Sequence, residues 1–162
     1  MFRFRRFVLL LALAPLAASA HFLQLVPDHA VVTPETGATV TFDIRFSHPM
    51  EGGPVMNLVT PGRFGVLANG KKTDLLDTLK PVAIEGKQTF VARHRLAGPA
   101  DYLFYLEPKP YWEPAERKMI VHYTKVVVDA FDSGEGWDAS VVFPVEIEPL
   151  TLPYGLWAGN LF

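Results

Sequence analysis

Thr39-Val40-Thr41-Phe42-Asp43-Ile44-Arg45-Phe46 alternates strictly between polar and apolar side chains, with Val40, Phe42, Ile44 and Phe46 on one face. A period of two built from β-branched and aromatic residues is the pattern of a half-buried β-strand. Gly37 precedes the stretch and His48-Pro49 ends it, because proline brings no N–H to a ladder and restricts the residue before it.

The same punctuation recurs outward from that strand. Arg63 to Leu67 and Lys71 to Leu75 flank Asn69-Gly70, a hairpin signal since both turn residues tolerate positive φ. Gln88 to Leu96 lies between Gly86 and Gly98-Pro99, and Asp101 to Glu107 is stopped by Pro108 and Pro110. Lys118 to Ala130 carries the longest β-branched run, and Val141 to Ile147 reads as the last strand. About seven short strands with frequent Pro and Gly turns predict an all-β fold, an antiparallel β-sandwich. No helix is expected; Pro114 to Lys118 has room for a turn or so. Leu150 to Phe162 is rich in Pro, Gly and aromatics. It reads either as the start of another strand or as a C-terminal segment docked on the sandwich.

The first twenty residues have three zones. Arg3, Arg5 and Arg6 give a positive start, an uncharged run from Phe7 to Ala18 follows, and Ala18-Ser19-Ala20 supplies small residues before the cut. This is the layout of a secretory signal peptide over 1–20, with an apolar run too short for the roughly 20 residues that a bilayer needs. Cuts after Ala17 or Ala18 are alternatives, but cleavage after Ala20 makes His21 the first residue of a periplasmic chain. The β-sandwich domain then spans 21–149, followed by the segment 150–162.

Removing residues 1–20 leaves 12 basic against 17 acidic side chains in 142 residues, a formal charge of −5. Such a balance argues against nucleic acid or anionic lipid as partner and is compatible with attracting cations. There is no cysteine, so thiolate metal sites are excluded and His, carboxylate, Met and backbone remain as donors. No second long apolar stretch follows, so the processed chain is not expected to span a membrane. No nucleophile elbow, Ser/His/Asp motif, phosphate loop or HExxH helix occurs, and no enzyme activity is expected.

Five histidines carry the remaining chemistry: His21, His29, His48, His94 and His122. An amino-terminal His21 offers an amine of pKa ~7.7–8.0 and an imidazole of ~6.5, a chelate suited to Ni(II), Cu(II) or Zn(II). The alternative is that some residue must come first and here it is histidine. His48 opens a Gly- and Pro-rich loop, His48-Pro49-Met50-Glu51-Gly52-Gly53-Pro54, with Met50 and Glu51 as further donors; such loops at strand ends are where sandwiches place binding groups. His122 lies on an apolar run, where a hydrogen-bonded core role competes with ligation. Glu113, between Trp112 and Pro114, could supply an oxygen, though Glu113 and Glu116 read first as exposed loop acids. His94 lies between Arg93 and Arg95 and reads as structural; His29 reads as a solvated turn.

Several longer words carry a resemblance: His21-Phe22 with Pro27, Arg45-Phe46-Ser47-His48-Pro49-Met50-Glu51-Gly52-Gly53-Pro54, Pro110-Tyr111-Trp112-Glu113-Pro114-Ala115-Glu116, His122-Tyr123-Thr124-Lys125-Val126, and Pro149-Leu150-Thr151-Leu152-Pro153-Tyr154-Gly155-Leu156-Trp157. Across the mature chain the sequence resembles the periplasmic component family of nickel and cobalt uptake systems. The resemblance implies an immunoglobulin-like module that captures or delivers Ni(II) or Co(II) near an inner-membrane transporter. Members of that family usually continue into a second β-rich region, whereas this sequence ends at Phe162, so 150–162 reads as the truncated start of such a region. A copper-binding carrier or resistance module, and a metal-free immunoglobulin-like interaction domain, are the competing readings. The ligands expected are His21, His48 and His122, then Met50, Glu51 and Glu113.

Overall fold

A computed structural model of the chain describes residues 21–113 and 116–154. Eleven strands form there: β1 (Phe22–Pro27), β2 (Val31–Val32), β3 (Thr39–Ser47), β4 (Arg63–Ala68), β5 (Lys71–Asp74), β6 (Lys80–Ile84), β7 (Lys87–Arg95), β8 (Ala100–Glu107), β9 (Tyr111–Glu113), β10 (Lys118–Ile120) and β11 (Thr124–Ala130). One sheet has the order β1-β3-β7-β6, a second β2-β11-β8-β4-β5, and β9 pairs with β10 in a hairpin. All pairings are antiparallel except β2 with β11. The expected antiparallel β-sandwich is present.

The alternation at 39–46 packs as read. Val40, Phe42 and Ile44 are fully buried, and Phe42 meets Phe104 from the opposite sheet at 4.3 Å between ring centroids. Their apolar faces close the core, each large side chain contributing ~1.5–3 kcal/mol of burial. The Asn69-Gly70 hairpin also forms, with φ of 49° and 71° at its two turn residues, the primed turn that matches strand twist. At the β7–β8 corner the Tyr102 hydroxyl donates to the Gly98 carbonyl at 3.0 Å and accepts from the Ala97 N–H at 3.0 Å. That tyrosine corner, and a first segment that leaves one sheet as β1 and joins the other as β2, are features of immunoglobulin-type sandwiches.

Three sequence expectations are corrected. Lys118 to Ala130 is not one strand: residues 121–123 break it into β10 and β11. Residues 141–147 form no strand, although Val141 and Phe143 are buried as the alternation required. The N–H groups of Val141, Val142 and Phe143 are taken by the Glu146 carboxylate at 2.8, 2.9 and 3.3 Å, so a side chain replaces the neighbouring strand. The strand count exceeds seven because the break at 121–123 makes two strands of one, and because β1, β2, β6 and β9 are added; β2 and β9 are too short to show a period, and β6, exposed along most of its length, buries no alternating face. The only helical pieces among the described residues are single 3₁₀ turns at Pro49–Glu51 and Leu76–Thr78. The expected signal peptide, Pro114-Ala115 and residues 155–162 lie outside the described residues.

Candidate functional site

Antiparallel pairing of β1 with β3 places Phe22 opposite Ser47. Extending that register by one residue sets His21 opposite His48, and their ring centroids are 4.1 Å apart. Two histidines 27 positions apart in sequence thus become a cross-strand pair at one end of the sandwich. The hairpin β9–β10 brings a carboxylate to the same place: His21 Nδ1 lies 3.0 Å from Glu113 Oε2. Glu113 is buried, so it is not the exposed loop acid that its neighbours Trp112 and Pro114 implied. It is the second inward residue of a short strand, while Trp112 between them points to solvent.

His122, in the link between β10 and β11, joins the group from a fourth segment. Its Nε2 is 3.1 Å from the Tyr111 hydroxyl, and the two rings stack at 5.7 Å with 15° between planes. Burial, with a smaller contribution from nearby His21, holds His122 below the usual imidazole range. Burial and the Glu113 and Glu116 charges push the Tyr111 phenol up. At neutral pH both groups are uncharged, and the pair fits the tautomer in which the phenol donates to Nε2.

Phe46 is the floor of the cluster. Its ring lies 5.5 Å from His21, 5.0 Å from Tyr111 and 5.8 Å from His122. The His48 loop is closed by its own backbone: Gly53 N–H donates to the His48 carbonyl at 3.0 Å, and Gly52 caps the 3₁₀ turn in the left-handed region at φ 60°. Gly53 lies so close to His48 that an added Cβ would stand 2.7 Å from the His48 Cβ.

The remaining candidates separate from this group. Met50 is 89% exposed on the outside of the loop. Glu51 ends the 3₁₀ turn, but its side chain lies outside the described residues. His29 pairs with Asp28 at 2.8 Å in its turn. His94 packs edge-on against Phe104 at 5.5 Å, and burial holds it below its ordinary pKa. Tyr111 and Phe46 were not singled out from sequence as site residues, because an aromatic at a strand end is most simply core packing.

Chemically, the group offers imidazole nitrogen and carboxylate oxygen in a half-buried setting. Two cis ligands held ~2.1 Å from one divalent ion stand roughly 3 Å apart, and the His21–Glu113 separation of 3.0 Å has that span. The same distance also serves a charge-assisted hydrogen bond. No three of the described His, Asp and Glu side chains form a group poised to hold a metal as they stand. In the unprocessed chain the His21 nitrogen is an amide, so the amine donor belongs only to a chain cut after Ala20. No helix among the described residues is long and apolar enough to cross a membrane.

A family model described as a domain of unknown function, DUF4198, matches residues 18–162. No curated protein and no solved structure matches the chain.

Proposed function

Since the chain belongs to the DUF4198 family, whose description names no activity, we propose from its site residues that it is an exported protein that captures or delivers a divalent transition metal, Ni(II) or Co(II), for an inner-membrane uptake system. The observation that carries the reading is the meeting of His21, His48 and Glu113 from three distant segments at one end of the sandwich, with the His21–His48 rings at 4.1 Å and the His21–Glu113 contact at 3.0 Å. Signal cleavage after Ala20 adds the amine, which completes a nitrogen- and oxygen-rich donor set suited to Ni(II), Co(II) and Cu(II). His122 stands behind the pair with its Nε2 engaged by Tyr111. Its neutral ring places no positive charge beside the incoming cation.

Copper in its reduced form fits less well, because it favours thioether and thiolate donors and the Met50 thioether lies exposed outside the cluster. The metal-free interaction reading draws support from the contacts already made, since His21–Glu113 and Tyr111–His122 are satisfied pairs.

Calorimetric titration with Ni(II) of the chain beginning at His21 separates these readings. Saturable binding to one site is expected, with Glu113→Gln weakening it ~10-fold or more. Binding should fall as pH drops through the histidine range, since bound imidazoles must be deprotonated. No saturable binding, or binding unchanged by His21→Ala, would falsify the proposal.

A further inference from the structure

The second sheet turns one face to the core and carries an outer segment, residues 137–154, on the other. Val141 and Phe143, with Trp137, Ala139 and Tyr154, pack there against Leu67, Leu103, Tyr105 and Val127. Asp101 and Asp129 stand on the same face, two residues along from Leu103 and Val127, because side chains alternate with a period of two. They are direct cross-strand partners between β8 and β11, and they are 1% and 4% exposed.

Two buried carboxylates set opposite each other need a counter-charge or a proton. Among the described residues no ion pair reaches either of them. The lysines of this face are engaged elsewhere: Lys72 of β5 donates to the Val141 carbonyl and Lys125 of β11 to Glu146, both at 2.6 Å. The other titratable groups around the pair are Asp132, Glu135 and Tyr154, and Asn69 of the β4–β5 turn is neutral. The Tyr154 hydroxyl donates to Asp101 Oδ2 at 3.0 Å, and the Ser133 N–H to Asp129 Oδ1 at 3.1 Å. Asp101 Oδ1 is buried and receives no donor.

We propose that Asp101 keeps a proton and donates it to Asp129, which makes the outer segment a strap that loosens when that proton is lost. An ionised Asp101 leaves Oδ1 buried without a donor, at full desolvation cost. A protonated one carries its own O–H, and the Asp129 carboxylate lies within hydrogen-bonding reach to accept it. Burial, and the Asp129 charge, push the Asp101 carboxyl above its ordinary 3.8 in spite of the Tyr154 hydroxyl and the Trp137 N–H, which favour the ionised form. The folded chain therefore binds this proton more tightly than the unfolded chain does. The stability it contributes is complete below pH 3.8 and is lost as pH rises through the folded midpoint. Lifting the segment returns Asp101 to water, so a rising pH favours the lifted state and uncovers Leu103, Tyr105 and Val127.

Carboxyl carbon NMR of the chain beginning at His21, with no metal added, reads the proton directly and is independent of the Ni(II) reading. One aspartate should titrate above the others and vanish from the spectrum in Asp101→Asn. Tyr154→Phe removes a group that steadies the ionised form, so it should move the same midpoint further up; this identifies Asp101 even where Asp101→Asn fails to fold. The strap is read by hydrogen exchange at the Ala139 N–H, which donates to the Gly136 carbonyl at 3.1 Å. Corrected for the intrinsic rate, its exchange should quicken by up to about tenfold per pH unit from 3.8 to the folded midpoint in the parent, and stay flat in Asp101→Asn or shift its range with the midpoint in Tyr154→Phe. Asp101 titrating at or below 3.8 would overturn the proposal. So would exchange with the same pH dependence in parent and variants. A melting temperature raised by calcium ions in the parent but not in the Asp101 variant would also overturn it, since a cation would then stand where the proton is placed.

Discussion

Tyr111 and His122 meet through a single hydrogen bond of 3.1 Å on the floor of the site. Tyr111→Phe keeps the ring stack and removes the hydroxyl, leaving Nε2 of a half-buried imidazole without that donor. The expected cost is about 1 kcal/mol in a urea melt, with Ni(II) affinity changed far less than by Glu113→Gln. A variant as stable as the parent would show that water serves Nε2 equally well. Single residues also mark where the sequence was legible. His21 and His48 were legible because both stand at boundaries, one at the expected cleavage site and one at a strand end. Glu113 was less legible, since burial of a carboxylate between Trp112 and Pro114 depends on a partner, His21, that lies 92 residues earlier. Tyr111 and Phe46 carried no chemical signal of their own; only the fold brings them against the histidines of the cluster.

At the scale of elements, the loop from His48 to Gly53 sets the position of one imidazole. Gly53→Ala would drive a methyl into the His48 Cβ, which lies 2.7 Å from the position it must take, so the ring or the loop has to shift. The prediction is a loss of Ni(II) affinity of roughly 10-fold, comparable to loss of a supporting contact, with the sandwich still folded by far-UV circular dichroism. Unchanged affinity would mean that the ring tolerates displacement or does not bind. Strands with one buried face were legible here because alternation is a local property: 39–46 and the Asn69-Gly70 hairpin formed as read. The 141–147 segment kept its alternation yet found no strand partner. Pro144 and the Glu146 carboxylate, which takes three successive N–H groups, supplied a different solution. The same clamp holds Val142 at φ 62°, a conformation that costs a β-branched residue of order 1–3 kcal/mol.

The molecule as a whole depends on that carboxylate, because it ties the outer segment to β11. Burial pushes the Glu146 pKa up, but Lys125, the Val141 and Phe143 N–H groups and Ser140 outweigh it and hold it down to about 2, against an ordinary 4.5. The folded form therefore binds this proton less readily than the unfolded chain does. Its contribution is complete above pH 4.5 and is lost progressively as pH falls from 4.5 through about 2. A shift of this kind stands for ~3 kcal/mol, and Glu146→Gln should cost a similar amount at pH 7 by leaving Lys125 buried without its counter-charge. Denaturant melts of the parent and the variant should differ at pH 7 and converge near pH 2. A gap that persists into strong acid would mean that the carboxylate is not what holds the segment.

The brief pairing of β2 with β11 reaches beyond equilibrium. Val31 finds its partner at Asp129, so the sheet cannot close at that edge until almost the whole described chain has been made. A loop of nearly a hundred residues must be gathered before two residues' worth of ladder rewards it. Sandwiches dominated by such distant pairings fold in milliseconds to seconds rather than microseconds. A chain emerging N-terminus first therefore presents β1 and β3 long before the edge between β2 and β11 can form. Time itself separates the two histidines' meeting, which needs only residues up to 48, from the later arrival of Glu113 and His122.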